Sequence, residues 1–378
     1  MKKVLFVATV VKTHINVFHI PYLKMLKEMG YETHVAARND YENPEDCVIP
    51  YCDYFHDMPF ERNPFKKENI KTYKMLKKLM LEENFDIIHC HTPMGGVLPR
   101  LVYKNLKNKI NTKIIYTAHG FHFYKGAPLL NWLVYYPVEK YFSKYTDVLI
   151  TINKEDYNLA KNKFKKCKNI EYVPGVGVDL KNEKNELGEI QRIKKNLNVV
   201  EDRKFIILSV GELIPRKNQM VLLKALKKLD DKDIYCFICG RGNLKNTLQE
   251  FIDKNNMNEN IKLLGFRKDI DLLLDMADCF IFPSLQEGLP VALMEAMSRG
   301  KLIICSNIRG NEDLITHNVT GYMFEPNNID QLCELIKKVK YQNKKNQIMK
   351  EKVKSSIKTY LIENIKPIMK NIYKEVLK

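Results

Sequence analysis

Two carboxylates in the run Ser284-Leu-Gln-Glu287-Gly-Leu-Pro-Val-Ala-Leu-Met-Glu295 are spaced for work on a sugar nucleotide. Glu287 lies in a Gly/Pro turn, and Glu295 follows on the helix that the turn opens. Pro290 suits the first helical position, where its missing N–H would be unpaired anyway. The amides of Gly288, Leu289, Val291 and Ala292 then form a nest for an anion. One acid could take sugar hydroxyls, the nest a diphosphate, and the other acid a ribose diol. The same spacing also describes a solvated helix start with dipole-favoured acids, so the flanking sequence has to decide.

Other chemistry-bearing residues follow predicted strands. After 205–210 comes Gly211-Glu-Leu-Ile-Pro-Arg216-Lys217-Asn218, with two adjacent cations that could clamp a diphosphate, Arg as a fork and Lys as a point charge. After 235–239 comes Gly240-Arg-Gly-Asn. The third glycine of a dinucleotide fingerprint is absent there, which disfavours a dehydrogenase. After 261–264, Gly265-Phe266-Arg267 can offer backbone groups and a ring to a base.

In the N-terminal half the residues after strands are histidines: His14 and His19, His89 and His91, His119 and His122. Read along the chain, no pair has a third ligand on a metal scaffold. His89 and His91 are expected to orient loops, and His119, which ends a strand, to touch substrate. Asp231-Lys-Asp233 precedes a strand and so falls at the wrong end of a sheet for a catalytic metal. The expectation is a reaction needing no metal, with Arg216, Lys217 and the helix at Pro290 neutralising a leaving diphosphate.

The elements that must position these residues alternate. Strands are expected at 4–10, 33–37, 86–90, 113–118 and 147–152, with helices at 18–29, 70–81, 99–106 and 129–145. Pro and Gly punctuate 172–179, a charged stretch follows at 181–195, and the domain junction is placed here. The alternation restarts with strands at 205–210, 235–239, 261–264, 279–282 and 302–306. Helices are expected at 221–228, 244–254, 270–275 and 291–298, before a polar helical tail over 329–378. Such alternation implies parallel sheets covered by helices, with ligands at the carboxyl ends of the strands.

A length of 378 residues suggests two domains, and 45% hydrophobic with 28% charged residues is ordinary globular composition. No apolar run approaches a membrane span. The N-terminal run ends at Lys12 and continues as strand, loop and helix, so it reads as a first strand and not a leader. Nine cysteines are scattered and odd in number. Cys236 and Cys239 sit in a strand whose alternation puts them on opposite faces, in the core. The net charge of +17 points to nucleic acid or an anionic membrane surface. No nucleic-acid-binding signature is present. Residues 65–80 and 121–145 interleave lysines with apolar and aromatic residues, as suits interfacial docking.

The run Phe282-Pro-Ser-Leu-Gln-Glu287-Gly-Leu-Pro-Val-Ala-Leu-Met-Glu295-Ala-Met resembles the Glu-x7-Glu signature of family 4 retaining glycosyltransferases. Gly211-Glu-Leu-Ile-Pro-Arg-Lys-Asn is similar to that family's phosphate-binding loop, and Asn311-Glu-Asp-Leu-Ile and Gly321-Tyr-Met-Phe to its later motifs. The N-terminal half is similar to the exopolysaccharide and capsular-polysaccharide transferases of Gram-positive bacteria. It does so through His91-Thr-Pro-Met-Gly-Gly-Val-Leu, Tyr116-Thr-Ala-His-Gly-Phe-His-Phe-Tyr-Lys-Gly-Ala-Pro and Thr151-Ile-Asn-Lys-Glu-Asp-Tyr.

The resemblance implies an α/β protein of the GT-B fold, two Rossmann-like domains facing each other across an interdomain cleft. It divides the chain into an acceptor domain over 1–175, a nucleotide-sugar domain over 176–355 and a C-terminal helix over 356–378 packing on the first domain. It implies a retaining, metal-independent transferase with no cofactor. The donor would be a nucleotide sugar, UDP-linked in most relatives, and the acceptor a polyprenyl-diphosphate-linked saccharide. Such an enzyme works at the inner face of the plasma membrane, peripheral and cytoplasmic.

By the family's pattern Arg216 and Lys217 hold the diphosphate, Glu287 the transferred sugar, Glu295 the ribose, and His119 meets the donor sugar. Gly211, Gly240, Gly265, Phe266, Arg267, Gly288, Leu289 and Val291 complete the donor side, and Thr13, His14, His91 and His122 the acceptor side. Many relatives carry a Gly-rich loop after the first strand. Here the loop is Val11-Lys-Thr-His-Ile-Asn16, so Thr13 or His14 would act through side chains, or the loop would face the acceptor. Two alternatives stay open: a UDP-sugar 2-epimerase of the same fold, and a non-catalytic subunit of a polysaccharide assembly complex.

Overall fold

Strand β1 (Lys3–Val10) is buried along nearly its whole length, because a central parallel strand is covered on both faces. Its alternation is visible in the packing. Leu5 and Val7 enter one hydrophobic core, whereas Val4, Phe6 and Ala8 enter another on the opposite face. The computed structural model describes residues 1–179, 187–199 and 204–378. These divide into two compact units: Met1–Gly177 with Ile362–Lys378, and Val178–Leu361.

The first unit contains β1, β2 (Glu32–Arg38), β3 (Tyr54–Asp57), β4 (Ile87–His91), β5 (Lys113–Ala118), β6 (Val148–Thr151) and β7 (Asn169–Tyr172). All pairings are parallel, in the order β3-β2-β1-β4-β5-β6-β7. The chain winds outward from β1 in one direction and then, from β4, in the other. The crevice beyond the carboxyl ends of β1 and β4 is therefore a topological switch point.

Two glycines let a helix close on that point. In the helix Pro93–Leu106, a Cβ on Gly95 would lie 2.9 Å from the Ala8 Cα, and one on Gly96 would lie 2.6 Å from the Tyr116 ring. Arg100, on the same helix, is buried. It donates to Gly96 O at 2.8 Å and to Glu139 at 2.9 Å, tying this helix to the helix Leu129–Ser143.

The second unit contains β8 (Phe205–Val210), β9 (Ile234–Cys239), β10 (Ile261–Gly265), β11 (Cys279–Phe282), β12 (Leu302–Ser306) and β13 (Tyr322–Phe324). The order is β10-β9-β8-β11-β12-β13, again parallel, with its switch point between β8 and β11. Cys236 lies in the core formed with Ile238, and all nine cysteines are free. The charged stretch expected from Lys181 falls partly outside the described residues, and within it Leu187–Asn196 is a helix.

The expected polar tail is three helices, Ile329–Tyr341, Asn343–Ser356 and Ile362–Glu375. The last belongs to the first unit. Its Ile365, Met369, Ile372 and Tyr373 form one apolar stripe in the core beside Tyr22 and Leu26. Among the described residues no helix is long and apolar enough to cross a membrane.

Candidate functional site

In the second unit the loops after β8 and β11 meet at the switch point. The loop after β8 makes a 3-10 turn, Pro215–Lys217, and Asn218 ends it in the left-handed conformation with φ 54°. This turn aims both cations at Glu287. Lys217 Nζ lies 2.6 Å from Oε1, and Arg216 Nη1 lies 3.3 Å from Oε2. Arg216 also donates to Gln286 O at 2.9 Å, while Leu285 N donates to Arg216 O at 2.8 Å. The two loops are thus stitched by backbone and side chain, although their residues are about 70 apart in sequence.

Glu287 is buried and Lys217 nearly so, whereas Arg216 keeps 39% of its side chain exposed. A buried carboxylate is tolerated because two cations compensate it. Arg309 adds a third contact, donating from Nε to Glu287 O at 3.2 Å. Two cations on the carboxylate and a third on the backbone carbonyl, against Glu287 and the Glu212 carboxylate 3.9 Å from Arg216, leave the loop net positive, as an anion site requires.

Glycines line the floor of this loop. Gly211 N donates to Cys239 O and Gly240 N to Gly265 O, so the three glycines end β8, β9 and β10 side by side. At Gly240, with φ 150°, a Cβ would fall 1.9 Å from Gly211 O. Any larger residue would push the loop out of place. Phe266 is exposed, with the Arg241 guanidinium 5.2 Å from its ring centre. Arg267 is held by Asp269 through two bonds, at 2.8 and 2.5 Å, and that carboxylate raises its pKa further.

One expectation needs correction. Pro290 is not the first helical residue: it caps the helix from outside in an extended conformation, and the helix runs Val291–Ser298. Gly288 and Leu289 therefore belong to the turn, and the helical amides begin at Val291. Glu295 is the fifth helical residue and half-buried. Arg309 and Gly310 escaped the sequence reading. A Cβ on Gly310, with φ 82°, would fall 2.4 Å from Gly288 O, so this glycine lets the β12 loop close on the Glu287 turn. The glycine in Ile-Arg-Gly-Asn after a strand was the available signal.

In the first unit the switch point is filled with imidazoles. The residues after β1 form a single helical turn, Val11–Ile15. Asp40 accepts from Lys12 N at 2.6 Å and from Thr13 Oγ1 at 3.3 Å, so Thr13 is exposed and anchored. His14 points from this turn to His19, with their Nε2 atoms 3.2 Å apart. His91 ends β4, and its Nδ1 lies 3.3 Å from His119 Nε2. One ligand atom from each of His14, His19, His91 and His119 lies within 4.8 Å of all the others. The histidine pairs, without a third ligand along the chain, become a group of four once β1, β4 and β5 are brought side by side.

These rings are held neutral. Burial lowers the pKa of His119 to about 4, and pushes His14, His19 and His91 well down, helped by the neighbouring rings and, at His14, by Arg62. Thr92, next to His91, is a β-branched residue at φ 63°. It is held there by its hydroxyl, 2.7 Å from that of Thr9. His89 is structural, bonding Tyr373 OH at 2.6 Å and Thr117 Oγ1 at 2.8 Å. His122 stands apart from the four, with its ring 4.6 Å from that of Tyr135.

Two parallel doubly wound units, each with polar loops gathered at its switch point, define the GT-B class of transferases. HepE of Anabaena, solved with UDP and glucose, shares this fold with a TM-score of 0.81, covering 99% of this chain and 100% of its own at 16% identity. Residues 3–153 match the family Glycosyl transferase 4-like, and residues 189–356 match Glycosyl transferases group 1. The EpsD protein of Bacillus subtilis (strain 168), itself assigned as a glycosyltransferase, is 38% identical over 327 residues. The match covers 86% of this chain and 84% of EpsD. The UDP-Gal:alpha-D-GlcNAc-diphosphoundecaprenol alpha-1,3-galactosyltransferase of Escherichia coli is 33% identical over 285 residues, covering 72% of this chain and 70% of its own. The chain belongs to this glycosyltransferase family, with a 4-like domain followed by a group 1 domain.

Proposed function

We propose that this glycosyltransferase moves a sugar from a UDP-sugar to a polyprenyl-diphosphate-linked saccharide during synthesis of a bacterial surface polysaccharide, with retention at the anomeric carbon. The observation that carries the donor half is the convergence of Arg216 and Lys217 on Glu287 beside the Gly211–Gly240–Gly265 floor. The acceptor class is supported by the galactosyltransferase relative, whose name specifies an undecaprenol-diphosphate sugar.

As the glycosidic bond to phosphate breaks, positive charge grows on the sugar and negative charge on the diphosphate. Arg216 and Lys217 stabilise the latter from fixed positions, so no divalent ion is needed on it. Glu287 holds both cations and offers its remaining acceptor capacity to sugar hydroxyls, with Glu295 on the ribose and His119 on the transferred sugar. In a front-face route the leaving phosphate takes the acceptor proton, which makes a protein base unnecessary. Nucleotide release measured across UDP- and GDP-sugars, with and without a polyprenyl-diphosphate saccharide, tests this reading. Release only with acceptor, and product NMR showing retention, are expected. Release without acceptor, or an inverted linkage, refutes it.

An anionic membrane surface, at the inner face of the plasma membrane, completes the proposal. The helix Glu68–Glu83 buries Leu76, Leu79 and Met80 in the core and turns its lysines outward, with Ile70 exposed among them. The helix Leu129–Ser143 differs: Leu129, Leu130, Leu133, Val134 and Val138 are exposed along it. Lys104 and Lys144 lie within 5.5 Å of the Tyr141 ring centre beside this face. Apolar residues flanked by tyrosines and lysines suit the headgroup layer. Wild-type chain floating with anionic liposomes at low salt, and Leu130→Glu with Leu133→Glu abolishing flotation, are expected. Wild-type chain that stays unbound refutes the surface role.

A further inference from the structure

We propose that His14, His19, His91 and His119 form a binding site for one late first-row divalent transition ion, zinc above all. Nitrogens of all four rings lie within 4.8 Å of one another, and two pairs are 3.2 and 3.3 Å apart. Tetrahedral zinc, about 2.0–2.1 Å from each nitrogen, separates its ligand nitrogens by about 3.3–3.4 Å. The His14–His19 edge of that tetrahedron therefore already has the right length, and nitrogens within 4.8 Å of one another leave the remaining edges at most about 1.5 Å to contract.

Pairwise N–H···N hydrogen bonds would explain the two short contacts. They leave His91 Nε2, fully buried, without a partner. An orphaned buried ring nitrogen is destabilising unless something takes its lone pair. His19, His91 and His119 also line, with Tyr22, His89 and Thr117, a cavity of about 20 Å³, room for one water-sized particle. An all-imidazole set selects zinc, copper, nickel or cobalt over magnesium or calcium.

The other gathering of possible ligands in this unit, Glu32, His34 and Glu83, is not equivalent. Lys3 Nζ already lies 2.6 Å from Glu83 and 3.4 Å from Glu32, where a metal would sit. At the four histidines the neighbouring cation is Arg62, whose field lowers the His14 pKa.

A bound ion would take the His119 lone pair, and so inhibit sugar transfer. This second half rests on the reading that His119 meets the donor sugar.

Tag-free full-length chain, stripped with a chelator, is titrated with Co²⁺. Visible d–d bands of a tetrahedral site at one ion per chain, displaced by Zn²⁺, are expected. His19→Gln and His91→Gln should each weaken binding at least tenfold, whereas His56→Gln, outside the group, should not. Because a buried variant can misfold, imidazole ¹⁵N NMR of the wild-type chain provides a second measurement. Zn²⁺ should shift the rings of His14, His19, His91 and His119 and leave those of His56 and His317. No tetrahedral spectrum, or shifts confined to other histidines, overturns the site and leaves the transfer reading intact. Inhibition by one equivalent of Zn²⁺, reversed by chelator, is expected. Metal bound at the four rings with transfer unchanged overturns the inhibitory half and removes His119 from the donor reading.

Discussion

At the first switch point, the loops after β1, β4 and β5 bring together His14, His91 and His119. At the second, the loops after β8 and β11 bring together Arg216, Lys217 and Glu287. Eight of the nine histidines lie in the first unit, all but His317. The two places share a topology and differ in how they tolerate burial. Imidazoles can give up charge and pack on one another, as His19 does on His91 with ring centres 3.8 Å apart. Arg and Lys cannot easily shed theirs, so the second unit buries a carboxylate among them. The difference teaches that one scaffold position can be a neutral, hydrogen-bonding pocket or a fixed field for an anion, depending on what its loops carry.

The sharpest way to break this comparison is to discharge the second site. Glu287→Ala leaves Lys217, 13% exposed, without its carboxylate. A fall in kcat/KM of about 10²–10³ is expected, the range for losing one preorganised charge contact. Nucleotide release should show it, and activity within threefold of wild type would move the site elsewhere. In the first unit, His119→Ala removes a neutral contact and should cost less, about 10–10². The same assay, resolved into kcat and donor KM, orders the two sites. An effect larger than that of Glu287→Ala would invert the comparison.

Acid separates the units without mutation. The His119 pKa is lowered from its ordinary value to about 4, and that of His89 to about 3, both by burial. A depressed folded pKa means that the unfolded chain binds protons first. The stabilisation is therefore complete above about pH 6.5 and is lost as the pH falls toward 4 and below. Hydrogen exchange should show β1, β4 and β5 losing protection by an order of magnitude or more over that interval, ahead of β8 and β11. Simultaneous loss in both units would refute the assignment. The smallest change is Arg216→Lys, which keeps charge and loses the planar Nη1 group that meets both Glu287 and Gln286 O. A three- to tenfold fall in kcat/KM is expected at this partly exposed position.

Much of the scaffold was legible because buried parallel strands are apolar runs. The expected spans 113–118, 205–210, 279–282 and 302–306 coincide with β5, β8, β11 and β12. Strands β3, β7 and β13 were not legible. They are three or four residues long and lie at sheet edges, and β3 and β7 have too little burial to show a pattern. The helix Pro93–Leu106 was expected only from Pro99. Its first turns carry Gly95 and Gly96, which bring it against β1 and Tyr116.

The sequence by itself determined the strand–helix alternation, the family, and the positions of Arg216, Lys217 and Glu287 on loops after strands. These follow from local pattern: apolar periodicity, Gly/Pro punctuation, and residue type at a strand's end. Only the tertiary structure decided that both cations close on Glu287, that Arg309 and Gly310 join them, and that four histidines meet. Those facts depend on which strands are neighbours. β1 lies between β2 and β4, and β8 between β9 and β11. Strand order is set by the packing of the whole sheet, and no single segment encodes it.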